Sequence, residues 1–188
     1  MIGQALWYLS RATGVVSIVL LTVVAMLGVI TSGRRRPVGE QATIVMAMHR
    51  WLSLGMAAFL VTHIVTAIAD GYVSIGWLST VLPFTSGYET VWVGFGTLAV
   101  DILLAVLVTS LLRERLSRRA WRAVHWASYL LWPLAIIHGL VLSTSNEPLL
   151  QWATILCSAA FGGTVLWRLV TRHHDRDRRT AIAAQEWS

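Results

Sequence analysis

Apolar residues come in five long runs, each closed by charge or by turn-forming residues. The first covers residues 12–31 and stops at Ser32-Gly33, the triplet Arg34-Arg35-Arg36 and Pro37. The second covers 43–69 and ends at Asp70-Gly71; the others span 91–112, 121–143 and 149–170. A helix needs about 20 mostly apolar residues to cross the hydrocarbon core of a bilayer. All five runs meet that length, so the pattern predicts an all-α membrane protein, a five-helix transmembrane bundle. The first run exceeds the roughly 7–15 apolar residues of a signal peptide and has a basic stop behind it, so it reads as an anchor. Residues 1–172 form the transmembrane domain and 173–188 a charged tail. Segment 71–90 is long and apolar for a loop, with Tyr72, Trp77, Phe84, Tyr88 and, just beyond it, Trp92. Aromatic rings of this kind favour the membrane interface, and Pro83 and Gly87 break the segment into short pieces. It is expected to lie on the membrane or cap the bundle.

Composition agrees. Of 188 residues 56% are hydrophobic and only 13% charged, whereas soluble domains carry about 25% charged residues. The formal net charge is +6, and all 15 basic residues are arginines. Their placement, at the ends of apolar runs, is that of orienting charges and not of a nucleic-acid surface. Arg34, Arg35 and Arg36 follow the first run; Arg113, Arg115, Arg118, Arg119 and Arg122 lie around the third connection; Arg168, Arg172, Arg176, Arg178 and Arg179 close the chain. Segments 71–90 and 143–150 hold no basic residue. Positive-inside counting therefore places the N-terminus outside and the C-terminus in the cytoplasm. The single Cys157 excludes an internal disulfide and a cysteine-built metal or iron–sulfur site.

Candidate chemistry lies in the histidines. His173 and His174 belong to the tail, but His49 and His63 lie in the second run and His125 and His138 in the fourth. Ionisable residues inside a span are costly and mark functional sites. Fourteen residues separate His49 from His63, about 21 Å of helix rise, and return to within about 40° of the starting direction. His125 and His138 are about 19.5 Å apart along their helix. The two helices run in the same direction, so His49 pairs in depth with His125 near the inner surface and His63 with His138 near the outer. Two imidazole pairs stacked in a bundle core suit two haems with bis-histidine ligation. Zinc would need more ligands at each level. The phase of the fourth helix does not fit directly, because thirteen residues turn His138 about 140° from His125. Either Pro133 kinks the helix and resets the phase, or the cofactors approach this helix on different sides.

These residues resemble the ferric reductase-like transmembrane family, which carries a His-x13-His pair on one helix and a His-x12-His pair on another. The likeness extends through His49-Arg50-Trp51, the stretch from Trp121 to Trp126, and Arg11-Ala12-Thr13-Gly14. It is nearest to short bacterial members. The resemblance implies two b-type haems that pass electrons across the plasma membrane, from a quinol or a cytoplasmic flavoreductase to an extracytoplasmic ferric chelate or redox protein. Larger members add a flavin and nicotinamide module. No Gly-x-Gly-x-x-Gly is present here, and the chain is expected to need a partner both for flavin and for electron input. The haem subunit of periplasmic methionine sulfoxide reductase is similar in that respect. The alternative is a non-catalytic haem-binding membrane subunit that anchors a redox partner.

Supporting residues follow from position. Anionic haem propionates need cationic or hydrogen-bonding partners, which Arg50 and Arg122 are expected to supply at the inner site and Arg11 at the outer. Asp101 lies mid-span and reads as a structural hydrogen bond or a proton relay. Trp51, Trp126 and Trp132 flank the histidines and either line the cofactors or pack the bundle. Gly55, Gly162 and Gly163 are expected to be helix-contact positions, and Cys157 a small packing residue.

Overall fold

A computed structural model describes the backbone of residues 2–31, 39–71, 73–143 and 148–186 and, among these, holds helices and no strand. The arginine triplet at 34–36 and Tyr72 lie outside the described residues, as do the side chains of His173, His174 and the tail arginines. Helices α1 (Ile2–Thr31) and α2 (Glu40–Ala69) have 30 residues each, and α3 (Thr90–Leu111) has 22. Helices α4 (Arg118–Trp126) and α5 (Ser128–Val141) follow, and α6 (Pro148–Glu186) closes the chain. Five segments are long and apolar enough to cross a membrane: Gly3–Thr31, Glu40–Ala69, Thr90–Leu111, Arg118–Val141 and Leu150–Val170. The protein is an all-helical, multi-pass membrane protein. Below, the loop face is the end of the bundle that carries residues 73–89, and the arginine face is the opposite end.

Two features differ from the apolar pattern. First, α1 begins at Ile2, ten residues before the predicted start. Arg11 had marked that boundary, but its guanidinium lies 4.3 Å from the centre of the Trp7 ring one turn earlier. A cation over an aromatic face is partly compensated, so the helix passes through it. Second, the fourth span is broken at Ala127, not at Pro133, which lies inside α5. Around Ala127 the backbone bonds tighten: its N–H donates to the Val124 carbonyl (3.0 Å), and Leu130 N–H donates to the Ala127 carbonyl (2.9 Å). Pro133 leaves the Tyr129 carbonyl, four residues back, without its helix donor, and Ser128 Oγ donates to the His125 carbonyl at 2.6 Å.

Helix α1 lies along α2, α3 against α5, and α6 against α1. The buried centre is Met56, Ala99, Leu103 and Leu131, with Leu20, Leu21, Leu60 and Leu134 packed around it. Helix α1 buries four hydroxyls, Ser10, Thr13, Ser17 and Thr22, besides Val24 and Val29. Thr13, Ser17 and Thr22 donate to carbonyls one turn back in the same helix, so none is left unsatisfied in an apolar medium. Small side chains of this kind let helices approach closely. Trp132 ties three helices, donating from Nε1 to Thr22 Oγ1 (3.2 Å) and stacking on Phe161 at 4.4 Å.

The connection after α2 both caps the bundle and faces outward. A short 3-10 turn, Trp77–Thr80, buries Ser79, whose carbonyl accepts from Thr97 Oγ1 on α3 at 2.5 Å. Trp77, Leu78 and Val81 stay exposed, as interfacial apolar groups do.

Candidate functional site

Close to the loop face, His63 of α2 and His138 of α5 meet edge to face, ring centroids 6.3 Å apart and planes at 87°. Each ring is held by a helix other than its own. His63 Nδ1 lies 2.7 Å from the Ser10 carbonyl of α1, and His138 Nδ1 lies 2.9 Å from the Trp92 carbonyl of α3. A carbonyl only accepts, so Nδ1 is the protonated nitrogen on both rings and Nε2 keeps its lone pair. Both holding helices come close because they have glycine at the contact. A Cβ on Gly14 would lie 2.9 Å from His63 Nδ1, and one on Gly96 would lie 2.6 Å from His138 Nδ1. Ser10 Oγ adds a longer contact to His63 Nδ1 at 3.4 Å.

The two rings line a cavity of about 950 Å³ that is apolar over most of its wall. Trp7, Arg11, Leu60, Val100 and Leu142 contribute to that wall, as do Gly14 and Gly96. Arg11 is also close enough to act electrostatically on His63. It lies well inside α1 and not at its end.

Near the arginine face, His49 and His125 lie within electrostatic range of one another. Both fourth-span histidines approach those of α2: His138 meets His63, and His125 lies within electrostatic range of His49. His125 Nδ1 and Trp121 Nε1 are buried with no hydrogen-bond partner, while the Val24 backbone of α1 acts on His49 as a hydrogen-bonding group. Trp121 stacks on His125, centroids 4.9 Å apart, and the Arg113 guanidinium lies 4.8 Å from the Trp121 ring centre. Arg113 also acts electrostatically on His125.

Side-chain direction bears on the other expectations. Arg50, Arg122 and Arg113 are all exposed, and Arg113 is the arginine that acts electrostatically on His125. Arg50, one residue from His49, is on a different helix face, Arg122, three residues before His125, shares its face, and Arg113 reaches back from the preceding turn. Trp51 and Trp126 are 69% and 66% exposed, so they do not line the site. Gly55, Gly162 and Gly163 have open space where a Cβ would stand; the close contacts belong to Gly14 and Gly96. Asp101 makes no hydrogen bond or ion pair among the described residues and does not line the cavity. Cys157 is free and half-buried. Sequence reasoning missed Arg113, Ser10, Gly14 and Gly96 as site residues. Only Gly14, inside the quoted Arg-Ala-Thr-Gly stretch, had a signal.

Between the two histidine levels lies the apolar centre. Met56 is seven residues from His49 and from His63, and Leu131 lies between His125 and His138. No group of three or more His, Cys, Asp or Glu occurs among the described residues, so any metal here would rest on histidine pairs.

A helical membrane bundle with two inward-facing histidine pairs at two depths defines the class. Residues 13–136 match the family described as ferric reductase like transmembrane component, and the chain belongs to that family. The match takes in His49, His63 and His125 and ends two residues before His138. No curated protein and no solved structure matches the chain.

Proposed function

We propose that this chain carries electrons across the membrane between two b-type haems, one on His63 and His138 and one on His49 and His125. The observation that carries the reading is the pair near the loop face. Metal–imidazole bonds of about 2 Å put the centres of two imidazoles on opposite sides of one metal about 6 Å apart, and these rings are 6.3 Å apart. Bis-histidine ligation also requires a free nitrogen on each ring, which the two Nδ1–carbonyl contacts supply at Nε2. Near the arginine face, support comes from two orphaned buried nitrogens, His125 Nδ1 and Trp121 Nε1. An unsatisfied buried polar group costs about 1–3 kcal/mol, and a bound macrocycle with its charged edge is a group that such a site suits. Haem iron, when bound, supplies a one-electron couple.

Everything else is the work of this chain. His63 and His138 ligate, and donation from Nδ1 to carbonyls raises their basicity and fixes their rings. Gly14 and Gly96 leave room for the rings against the helix backbones. Arg11 at one level and Arg113 at the other offer positive charge to carboxylate groups. Met56, Leu103 and Leu131 keep water out between the levels. On this reading the chain is oriented with its N-terminus outside and its C-terminus in the cytoplasm of a bacterial plasma membrane. Electrons enter at His49 and His125 from a quinol or flavoreductase and leave at His63 and His138 to a ferric chelate or redox protein.

The test is the reduced-minus-oxidised visible spectrum of detergent-purified protein with a pyridine haemochrome count. The expected result is about two b haems per chain with the sharp bands of six-coordinate iron. Colourless protein from haem-replete cells overturns the reading.

A further inference from the structure

Asp101 sits about midway along α3, eleven residues after Thr90, some 16 Å along the helix axis. Two residues before it, Ala99 is buried in the bundle centre, and two after it Leu103 is buried too. A two-residue step turns about 200° round a helix, so Asp101 is on the side of α3 opposite the core. The residues that share its face are Leu104, Ala105 and Val108, all exposed. Towards the loop face the same side of α3 is covered at Gly94 by the Phe84 ring. The uncovered stretch therefore begins at the carboxylate. Asp is among the costliest residues at the centre of a span when it faces lipid, and Asp101 has no hydrogen-bond or ion-pair partner among the described residues.

We propose that Asp101 with Leu104, Ala105 and Val108 docks a transmembrane helix of a second membrane protein, one that presents a basic side chain at mid-depth. Charge complementarity selects that occupant over a second copy of this chain. The arginines with described side chains are Arg11, held by Trp7 and the cavity, and residues at the arginine face: Arg50, Arg113, Arg115, Arg118, Arg119, Arg122 and Arg168. None of these is at the depth of Asp101. All four intramembrane histidines face inward. Two copies related by a twofold axis along this stripe would set carboxylate against carboxylate. Ala105, one turn from Asp101, gives the approaching helix room for close contact.

The experiment is photo-crosslinking of the full-length chain in its native membrane, with benzoylphenylalanine at position 104 or 108 and the adducts sequenced by mass spectrometry. The expected result is one discrete protein adduct whose crosslinked span carries an intramembrane Arg, Lys or His. Asp101→Leu should lower its yield about tenfold, the equivalent of about 1.4 kcal/mol of association, and Asp101→Asn should lower it less. Monodispersity in detergent reports whether each variant folds, and Asp101→Asn keeps size and polarity should Asp101→Leu fail. Lipid adducts alone, an adduct to a second copy of this chain, or equal yields in all three chains overturn the proposal.

Discussion

His138 of α5 and Gly96 of α3 are packed so closely that a methyl group on the glycine would lie 2.6 Å from the imidazole Nδ1. The same histidine nitrogen is bonded to the Trp92 carbonyl one turn earlier on α3. Helix α3 therefore holds the ring by a hydrogen bond and stops it by a bare backbone, and α1 treats His63 in the same way with Ser10 and Gly14. Gly96→Ala must push the ring off its carbonyl or the helices apart. Overpacking of this kind costs about 1–3 kcal/mol. The expected outcome is a lowered Tm and a weakened or shifted α band for the centre near the loop face. Gly55→Ala and Gly163→Ala, where a Cβ meets open space, should leave both unchanged. Matching spectra for Gly96→Ala and the wild type would remove the ring-holding role.

Removing a ligand should be selective. His63→Ala or His138→Ala takes one ring from the pair near the loop face and leaves His49, His125, Trp121 and Arg113 intact, with the apolar layer of Met56 and Leu131 between the levels. The haemochrome count should fall from about two to about one per chain, and the remaining centre should keep its own midpoint potential. His49→Ala and His125→Ala should remove the other. If His63→Ala leaves the stoichiometry unchanged, the ligand assignment fails.

How much of this was visible in the chain depends on the kind of information. Spans were legible because lipid demands about 20 apolar residues in a row, and four of the five begin and end within a few residues of the membrane-crossing segments observed, although α6 itself runs on to Glu186. The depth pairing of histidines was legible because helix rise is fixed. Side-chain direction was not. His125 and His138 both approach α2 although ideal helix geometry sets them about 140° apart, and the backbone tightening between them falls at Ala127, not at the visible signal, Pro133. Arg113 was hidden for a different reason. It reaches Trp121 and His125 across a turn, and contacts between segments leave no period in a sequence.

Charge at the arginine-face site gives a third prediction. Arg113, over the Trp121 ring, is the arginine that acts electrostatically on His125. A nearby positive charge favours the reduced, less positive state of a bound metal centre. Arg113→Gln should therefore shift one midpoint negative by on the order of tens of millivolts, as a single charge across a partly screened gap would. Arg50→Gln and Arg122→Gln should shift it much less. A redox titration of the three variants, followed at the α band, separates them; a larger effect at Arg50 or Arg122 would return the role to the residues nearest the histidines in sequence.

Trp132 should report on bundle assembly independently of any cofactor. Its Nε1–H donates to Thr22 Oγ1, and its ring stacks on Phe161, so one side chain joins α1, α5 and α6. Trp132→Phe keeps most of the stacking and loses the hydrogen bond, for a cost of about 1 kcal/mol. Trp132→Ala loses both and, for a half-buried ring, should cost about 3 kcal/mol, the low end for deletion of a large aromatic. Thermal melts in detergent should rank wild type above Trp132→Phe and that well above Trp132→Ala, with Thr22→Val close to the phenylalanine variant. Since Thr22 Oγ1 also donates to the Ile18 carbonyl, the valine costs no helix bond of its own backbone, and near-equal Tm values for Thr22→Val and Trp132→Phe would identify the shared hydrogen bond as the common loss.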